Sequence, residues 1–377
     1  MKVLAIETSC DETGIALMEG RLVGDTMEFV TIKAELLSQA KLHAEYGGVF
    51  PTLAKREHIK NLPVLFAPFK DEEFDAVVVT AGPGLEPALW TGIEFAKQVA
   101  LERGVPCIPA NHMEGHIISS LAQRENNKSQ ISNIQFPVLA LLISGGHTEF
   151  VLMKDWFEYE MLGRTLDDAV GEAFDKVARM LNLSYPGGPE ISKLAQAHRA
   201  GEKQDSEGLR SAAGARTERF SSKKIEYPEN AGFSPALPRP MLHTNSCDMS
   251  FSGLKTSVLY ALKDKTLTDD ERAAFAAEFE DAVAEVLCAK ARRALNESGA
   301  KTFVIGGGVA ANRYIREELQ KMILDEFSDV EFKLPHLSIT GDNAIMIGEA
   351  ALARILRDQA PEPQSDIKAS GNLSLVQ

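Results

Sequence analysis

Twice along this chain an apolar run enters a short turn of small and hydroxyl-bearing residues and leaves it as a second apolar run. Val3-Leu4-Ala5-Ile6 passes through Glu7-Thr8-Ser9-Cys10-Asp11-Glu12-Thr13-Gly14 into Ile15-Ala16-Leu17. Phe136 to Ile143 passes through Ser144-Gly145-Gly146-His147-Thr148 into Glu149 to Met153. This pattern predicts two β-hairpins whose turns make poor core and good ligand cradles; for the first, an ordinary solvated turn is the competing reading. Identity between the two is too low for a repeat, but the order of parts is the same. Each hairpin is followed later by a strand, a glycine turn and a helix. Phe74 to Thr80 ends at Ala81-Gly82-Pro83-Gly84-Leu85 before a helix to about Arg103, and Thr302 to Ile305 ends at Gly306-Gly307-Gly308 before another. A two-lobed α/β fold with a nucleotide or phosphate between the lobes is the expectation. The first turn offers backbone N–H groups to an anion but is not a P-loop, since no Gly-Lys-Ser/Thr follows. The three successive glycines of the second suggest close approach of a ligand.

The short strand Val105 to Ala110 delivers Asn111-His112-Met113-Glu114-Gly115-His116 at its carboxyl end, where open α/β sheets place ligands. Residues four apart on a helix are separated by about 40° of rotation, so His112 and His116 share a face and could reach one metal ion. A third ligand must come from elsewhere, and Asp342 in Thr340-Gly341-Asp342-Asn343 is the best candidate. The spacing alone also fits a short helix with two interface histidines, and Asp342 also fits an N-cap of the last helix. Glu114 stands two residues from each histidine, about 200° round a helix, so it points away from them. That excludes the metalloprotease arrangement, in which the glutamate follows the first histidine directly.

With 377 residues and 44% apolar content the chain can bury a sizeable core. A net charge of −14 argues against a general polyanion binder, so any nucleic-acid contact would need a local basic patch. Cys10, Cys107, Cys247 and Cys288 are scattered without a C-x-x-C spacing, which points to free thiols in a reducing cytosol. No stretch reaches the length of a membrane span, and a soluble cytoplasmic protein is expected.

The remaining pattern predicts helix from Ala34 to Lys70, broken at Tyr46-Gly47-Gly48 and restarted near Pro51. A polar connection over 124–135 marks a boundary between halves, giving lobes at 1–130 and 131–357. Leu166 to Leu183 reads as a helix with Asp168, Glu172 and Asp175 on or beside one face. A polar excursion is expected over 201–239, a long amphipathic helix from Asp269 to Leu295, and a disordered tail over 358–377.

Ile6-Glu7-Thr8-Ser9-Cys10-Asp11-Glu12-Thr13, His43 with Gly47-Gly48-Val49, Ala81-Gly82-Pro83-Gly84, His112 to His116, Ser144 to Thr148, Gly171-Glu172-Ala173-Phe174-Asp175-Lys176, Tyr185-Pro186-Gly187-Gly188-Pro189, Phe251-Ser252-Gly253-Leu254-Lys255, Gly307 to Arg313 and Gly341-Asp342-Asn343 together resemble the TsaD family of tRNA threonylcarbamoyladenosine transferases. The resemblance runs from residue 3 to about 350 and is to the bacterial or organellar branch. It implies an actin-like ATPase (ASKHA) fold, each lobe a mixed sheet flanked by helices. It implies transfer of the threonylcarbamoyl group of threonylcarbamoyl-AMP to the N6 amine of the adenosine beside the anticodon, in tRNAs reading codons that begin with A. Position by position, His112, His116 and Asp342 match the family's ligands for one divalent metal, Fe2+ first and Zn2+ as the alternative. Leu142, Ile143, Ser144, Gly145, Gly146, Asp175, Gly188 and Asn312 match its adenylate contacts. The implied partners are tRNA, a smaller TsaB-like paralogue, a TsaE-like ATPase and a TsaC-like enzyme that supplies the adenylate. Asp11 or Glu12 on the first turn is the candidate catalytic base for the amine proton, with fixing of the turn as the other role. Asn111 stands where some members carry another histidine, and the excursion is longer than in the bacterial type. A plain actin-like ATPase or kinase and a non-catalytic scaffold subunit are the rival functions.

Overall fold

The structure, a computed structural model, describes residues 1–212, 235–263, 265–364 and 366–376. The first sheet is built from β1 (Lys2–Glu7), β2 (Glu12–Val23), β3 (Thr26–Ser38), β4 (Ala76–Gly82), β5 (Cys107–Asn111), β6 (Gln123–Glu125) and β7 (Lys128–Ile131), and the second from β8 (Val138–Ile143), β9 (Thr148–Asp155), β10 (Glu158–Arg164), β11 (Thr302–Gly306) and β12 (Glu331–Lys333). The helices are α1 (Ala40–Ala44), α2 (Pro51–Phe66), α3 (Glu86–Arg103), α4 (His112–Leu121), α5 (Val170–Met180), α6 (Gly187–Ala212), α7 (Ser252–Leu262), α8 (Asp269–Ser298), α9 (Arg313–Glu326) and α10 (Ala344–Leu356).

The sheets repeat one topology. The first runs β5-β4-β1-β2-β3-β7-β6 and the second β10-β9-β8-β11-β12. In each, an antiparallel meander (β1-β2-β3 or β8-β9-β10) adds two parallel strands beside its first member. The parallel strands β4, AVVVTAG, and β11, TFVIG, are buried along their whole length, as expected for strands covered on both faces. The sequence echo between the two hairpins is therefore a real duplication of architecture.

Three apolar clusters fill the spaces between layers. Helices α2 and α3 cover the outer face of the first sheet around Leu4, Ile6, Val77 and Ile93. Helices α5 to α9 cover the outer face of the second around Leu141, Phe174 and Phe279. Between the sheets lie α4 and α10, which pack on each other, with α4 against β8 and β11 and α10 against β1 and β2. Each lobe thus receives a helix whose chain neighbours belong to the other, and the residues on those two helices meet at the middle of the molecule. Two buried ion pairs fasten α10 in this position: Arg354 donates to Glu114 of α4 at 2.7 Å, and Arg124 of β6 donates to Glu349 at 2.5 Å, where Ser129 donates as well.

Several local expectations differ from what is found. Residues 34–38 are strand, because β3 pairs with β2 from Thr26 to Ser38 and the ladder overrides a short helical pattern. The polar stretch after Gln123 is a hairpin, β6-β7, added to the first sheet through β3, with Asn126 in the left-handed region (φ 54°) that asparagine tolerates. Helix α5 begins at Val170, since Leu166 is held by a backbone bond to Met249. Of the excursion, residues up to Ala212 continue α6 and Leu237 is buried against Glu278, while 213–234 fall outside the described residues. The tail packs back on the first lobe: Ile367 is buried, Ser370 donates to Ala81 and the Gly371 carbonyl accepts from Gly84. Gly82 (φ 155°) and Gly84 (φ 157°) allow this approach, because a Cβ on Gly82 would lie 2.1 Å from the Ser370 carbonyl oxygen. With Gly84 N–H bound to Gly371 and Leu85 N–H bound to Ser9, this turn has spent the donors expected to hold an anion. No helix among the described residues is long and apolar enough to cross a membrane.

Candidate functional site

The carboxyl end of β5 hands the chain to α4 through Asn111, whose side chain accepts from the Met113 and Glu114 N–H groups and so caps the helix. Capping fixes the first turn, and with it His112, while His116 follows one turn later on the same face. At the other side Asn343 caps α10, accepting from Met346 N–H at 3.0 Å. Asp342, considered a cap from sequence, is thereby left free and turns toward the histidines. His112 Nε2 and His116 Nε2 lie 3.3 and 3.2 Å from the same Asp342 Oδ1. One ligand atom from each of the three residues falls within 4.8 Å of the others.

The charge balance here is unusual. Burial acts against charge on all three residues, yet Asp342 is held well below the ordinary carboxylate range by His112 and His116, and His112 is raised by Asp342 and Glu7. His116 goes the other way, lowered chiefly by burial, and its buried Nε2, 3.2 Å from Asp342 Oδ1, makes no well-aligned hydrogen bond. Two buried imidazole nitrogens and a carboxylate oxygen within 4.8 Å of one another form a donor set that suits a divalent transition metal.

Behind His112 stands a layer that sequence reasoning did not assign. His112 Nδ1 lies 3.2 Å from Glu7 Oε2 and 3.1 Å from Ser9 Oγ. Glu7, at the end of β1, also accepts from Thr80 Oγ at 2.6 Å and Ser9 N–H at 2.5 Å. A carboxylate on Nδ1 makes that nitrogen the proton donor, so Nε2 is the atom presented to the cleft. The available signal was a glutamate ending a buried strand, Val3-Leu4-Ala5-Ile6-Glu7, beside a threonine ending another.

The residues matched to adenylate contacts lie on the second lobe. Leu142 and Ile143 end β8 and are fully buried; Ser144, Gly145 and Gly146 make the turn, whose N–H groups at Gly146 and His147 donate to Ser144 Oγ. Added Cβ atoms on Gly145, Gly146, Gly188 and Gly308 would meet open space. Gly306 and Gly307 are different: their Cβ positions meet His116 Cβ at 3.1 Å and the Ile143 carbonyl oxygen at 2.4 Å, so these two glycines serve the packing of strand and helix rather than a ligand. Asp175, raised by burial, accepts from Gly187 N–H at 2.7 Å, which ties α5 to the start of α6. Asn312 caps α9 through Oδ1, while its amide donates to Ser192 and Glu280 at 2.8 Å each.

Asp11 and Glu12 sit on the first turn. Asp11 is buried and its carbonyl accepts from Gln39 N–H. Burial, then Asp11 and Asp342, push Glu12 up to about 9, and it accepts from Ser38 Oγ at 3.1 Å. Tyr185 of the second lobe is raised by burial and then by the charges of Asp11 and Asp175. His147, pushed down to about 4 mainly by burial, stays neutral beside the triad. Glu114 points away from the histidines, as the helical spacing requires, and is bound by Arg354.

The TsaD family, described as tRNA N6-adenosine threonylcarbamoyltransferase, matches residues 31–349. A tRNA N6-adenosine threonylcarbamoyltransferase of Aromatoleum aromaticum is 40% identical over 367 residues, covering 95% of this chain and 93% of that protein. Among solved structures, full-length HypF in a phosphate- and nucleotide-bound form superposes with a TM-score of 0.51 at 14% identity, over 97% of this chain and 47% of HypF, a likeness of fold alone. By sequence over nearly its whole length, and with the two-lobed α/β architecture to match, the chain belongs to the TsaD family.

Proposed function

We infer that this chain passes the threonylcarbamoyl group of threonylcarbamoyl-AMP to the N6 amine of the anticodon-adjacent adenosine in tRNAs that read codons beginning with A. The observation that carries the reading is the convergence of His112 and His116 on α4 with Asp342 in the turn that leads into α10. A scaffold or a simple ATPase has no use for that convergence, and family membership favours the transferase.

The donor is a mixed anhydride and already activated, so the protein has to orient it, exclude water and manage one proton. The N6 amine attacks the carbamoyl carbon, the bond from that carbon to the phosphate oxygen breaks, and AMP leaves with the electron pair. Asp11 takes the amine proton; Glu12, held protonated near neutral pH, serves as a hydrogen-bond donor on the same turn rather than as the base. Ser144, Gly145 and Gly146 leave room for the adenylate, with Asp175, Gly188 and Asn312 on the same lobe. His112, His116 and Asp342 would hold one divalent ion, iron before zinc. When bound it supplies a Lewis acid that polarises and orients the transferred group. The working assembly includes a smaller TsaB-like paralogue and a TsaE-like ATPase, a TsaC-like enzyme makes the adenylate, and the compartment is the cytoplasm.

The test is transfer of labelled threonine from preformed threonylcarbamoyl-AMP to such a tRNA, with partners added back. Transfer by the native chain that is lost in His112→Ala/His116→Ala sustains the reading. A native chain that transfers nothing with all partners present would return the scaffold function.

A further inference from the structure

The segment between α1 and α2 is short, exposed and fixed in place. Its two aromatic rings, Tyr46 and Phe50, are 60% and 53% exposed and stack on each other with centroids 6.0 Å apart at 22°. The backbone that carries them is held from both sides of the cleft. On the first lobe, Phe50 N–H donates to His43 Nδ1, and Gln39, which bonds His43 and His58, ties the loop to the Cys10–Asp11 turn. On the second lobe, the Arg179 guanidinium donates to the Gly47 carbonyl, one helical turn beyond Asp175. Gly47 (φ 67°) admits this contact because a Cβ there would lie 2.7 Å from Arg179 Nη2. Large apolar rings exposed on a braced loop have no packing role within the chain.

The segment that carries the rings is basic where the chain as a whole is acidic. Residues 40–61 contain four Lys or Arg and two Glu, against 40 Lys plus Arg and 54 Asp plus Glu overall. Lys41, Lys55 and Arg56 are exposed and make no ion pair among the described residues.

We propose that Tyr46 and Phe50 form a base-stacking platform at the cleft rim, which receives the anticodon-loop nucleotide next to the modified adenosine, with Lys41, Lys55 and Arg56 on the neighbouring phosphates. The proposal rests on the transferase reading above. For its N6 amine to reach the buried triad, the target adenosine must leave its stack, and the adjacent base then loses a partner. An aromatic face restores that stacking for any base, and fixed cations hold the backbone. Bracing by Arg179 and His43 means that little conformational freedom is lost on binding. A protein partner would be served by the rings but not by a basic fringe, and charge complementarity selects the nucleic acid. This platform also supplies the local basic patch that a chain of net charge −14 needs to meet RNA.

The experiment uses the full chain with its partners and an anticodon stem-loop carrying 2-aminopurine on the 3′ side of the target adenosine. Native protein is expected to change the probe's fluorescence by stacking. Tyr46→Ala/Phe50→Ala should abolish that change and raise KM for tRNA about tenfold or more at unchanged metal content and adenylate binding. Tyr46→Trp/Phe50→Trp should restore both. An unchanged probe signal and KM in the alanine variant would overturn the platform, as would loss of the smaller paralogue with tRNA binding intact, which would assign the face to a protein. A native chain that stacks the probe but transfers nothing would overturn the proposed function and leave the platform standing.

Discussion

The two lobes share a strand order but use their hairpin turns in opposite ways. The first turn is crowded with chemistry: Glu7 and Ser9 hydrogen-bond His112, Thr80 donates to Glu7, Ser38 donates to Glu12, and Asp11, between Ser9 and Glu12 in sequence, is buried. The second, Ser144-Gly145-Gly146, is nearly bare, its glycines facing open space. The first turn contributes fixed charge and the second contributes room, with Asp342 of the second lobe completing the triad between them. A duplicated scaffold thus makes an asymmetric site, as group transfer between two substrates requires.

The sharpest way to break this comparison is to remove its charged side. His112→Ala/His116→Ala should lower single-turnover transfer by roughly 10³-fold or more and abolish stoichiometric metal binding. Retained transfer with lost metal would separate the site from the chemistry.

The second lobe offers a contrast within itself. Gly307→Ala puts a Cβ against the Ile143 carbonyl at φ 91°, and should cost about 2–4 kcal/mol in denaturant unfolding. Gly145→Ala, facing open space, should cost under about 0.5 kcal/mol yet weaken adenylate binding. If both variants were equally stable, the division into packing and ligand glycines would be wrong.

Glu7→Gln keeps the shape of the first turn and weakens its hold on His112 Nδ1. Metal affinity should fall roughly 10- to 100-fold, with the fold intact by circular dichroism. Unchanged affinity in a metal titration would make Glu7 a purely structural residue.

The last test is of stability against pH. Glu12 is raised from 4.5 to about 9 in the folded chain, so between those values the folded state holds a proton that the unfolded state has lost. Its contribution therefore favours folding at low pH and is lost as pH rises through that window. Glu12→Gln removes this dependence, and the melting temperature of the variant should gain on the native chain steadily from pH 5 to 9. A constant difference would mean that Glu12 is ionised in the cleft and available as a base.

Much of this site was legible in the linear chain because its parts are local motifs. His112 and His116 sit one turn apart on a single helix, Glu114 is thrown to the far side by the same geometry, and each glycine turn follows a strand of Val, Leu and Ile. Local patterns misled where a neighbour outvoted them. Residues 34–38 look helical but are claimed by the β2 ladder, and the polar hairpin at 123–131 finds a partner only in β3. The tail is polar and contains proline, yet Ile367 finds a buried place against the first lobe.

By itself the amino-acid order determined the strand–turn–strand openings of both halves and the paired histidines, since each depends on residues a few positions apart. Tertiary structure alone decided that α4 and α10 cross between the sheets, that Asp342 meets those histidines and that Glu7 stands behind one of them. Those contacts join residues more than a hundred positions apart. Their geometry follows from how two twisted sheets pack on two shared helices, which no spacing in the chain encodes.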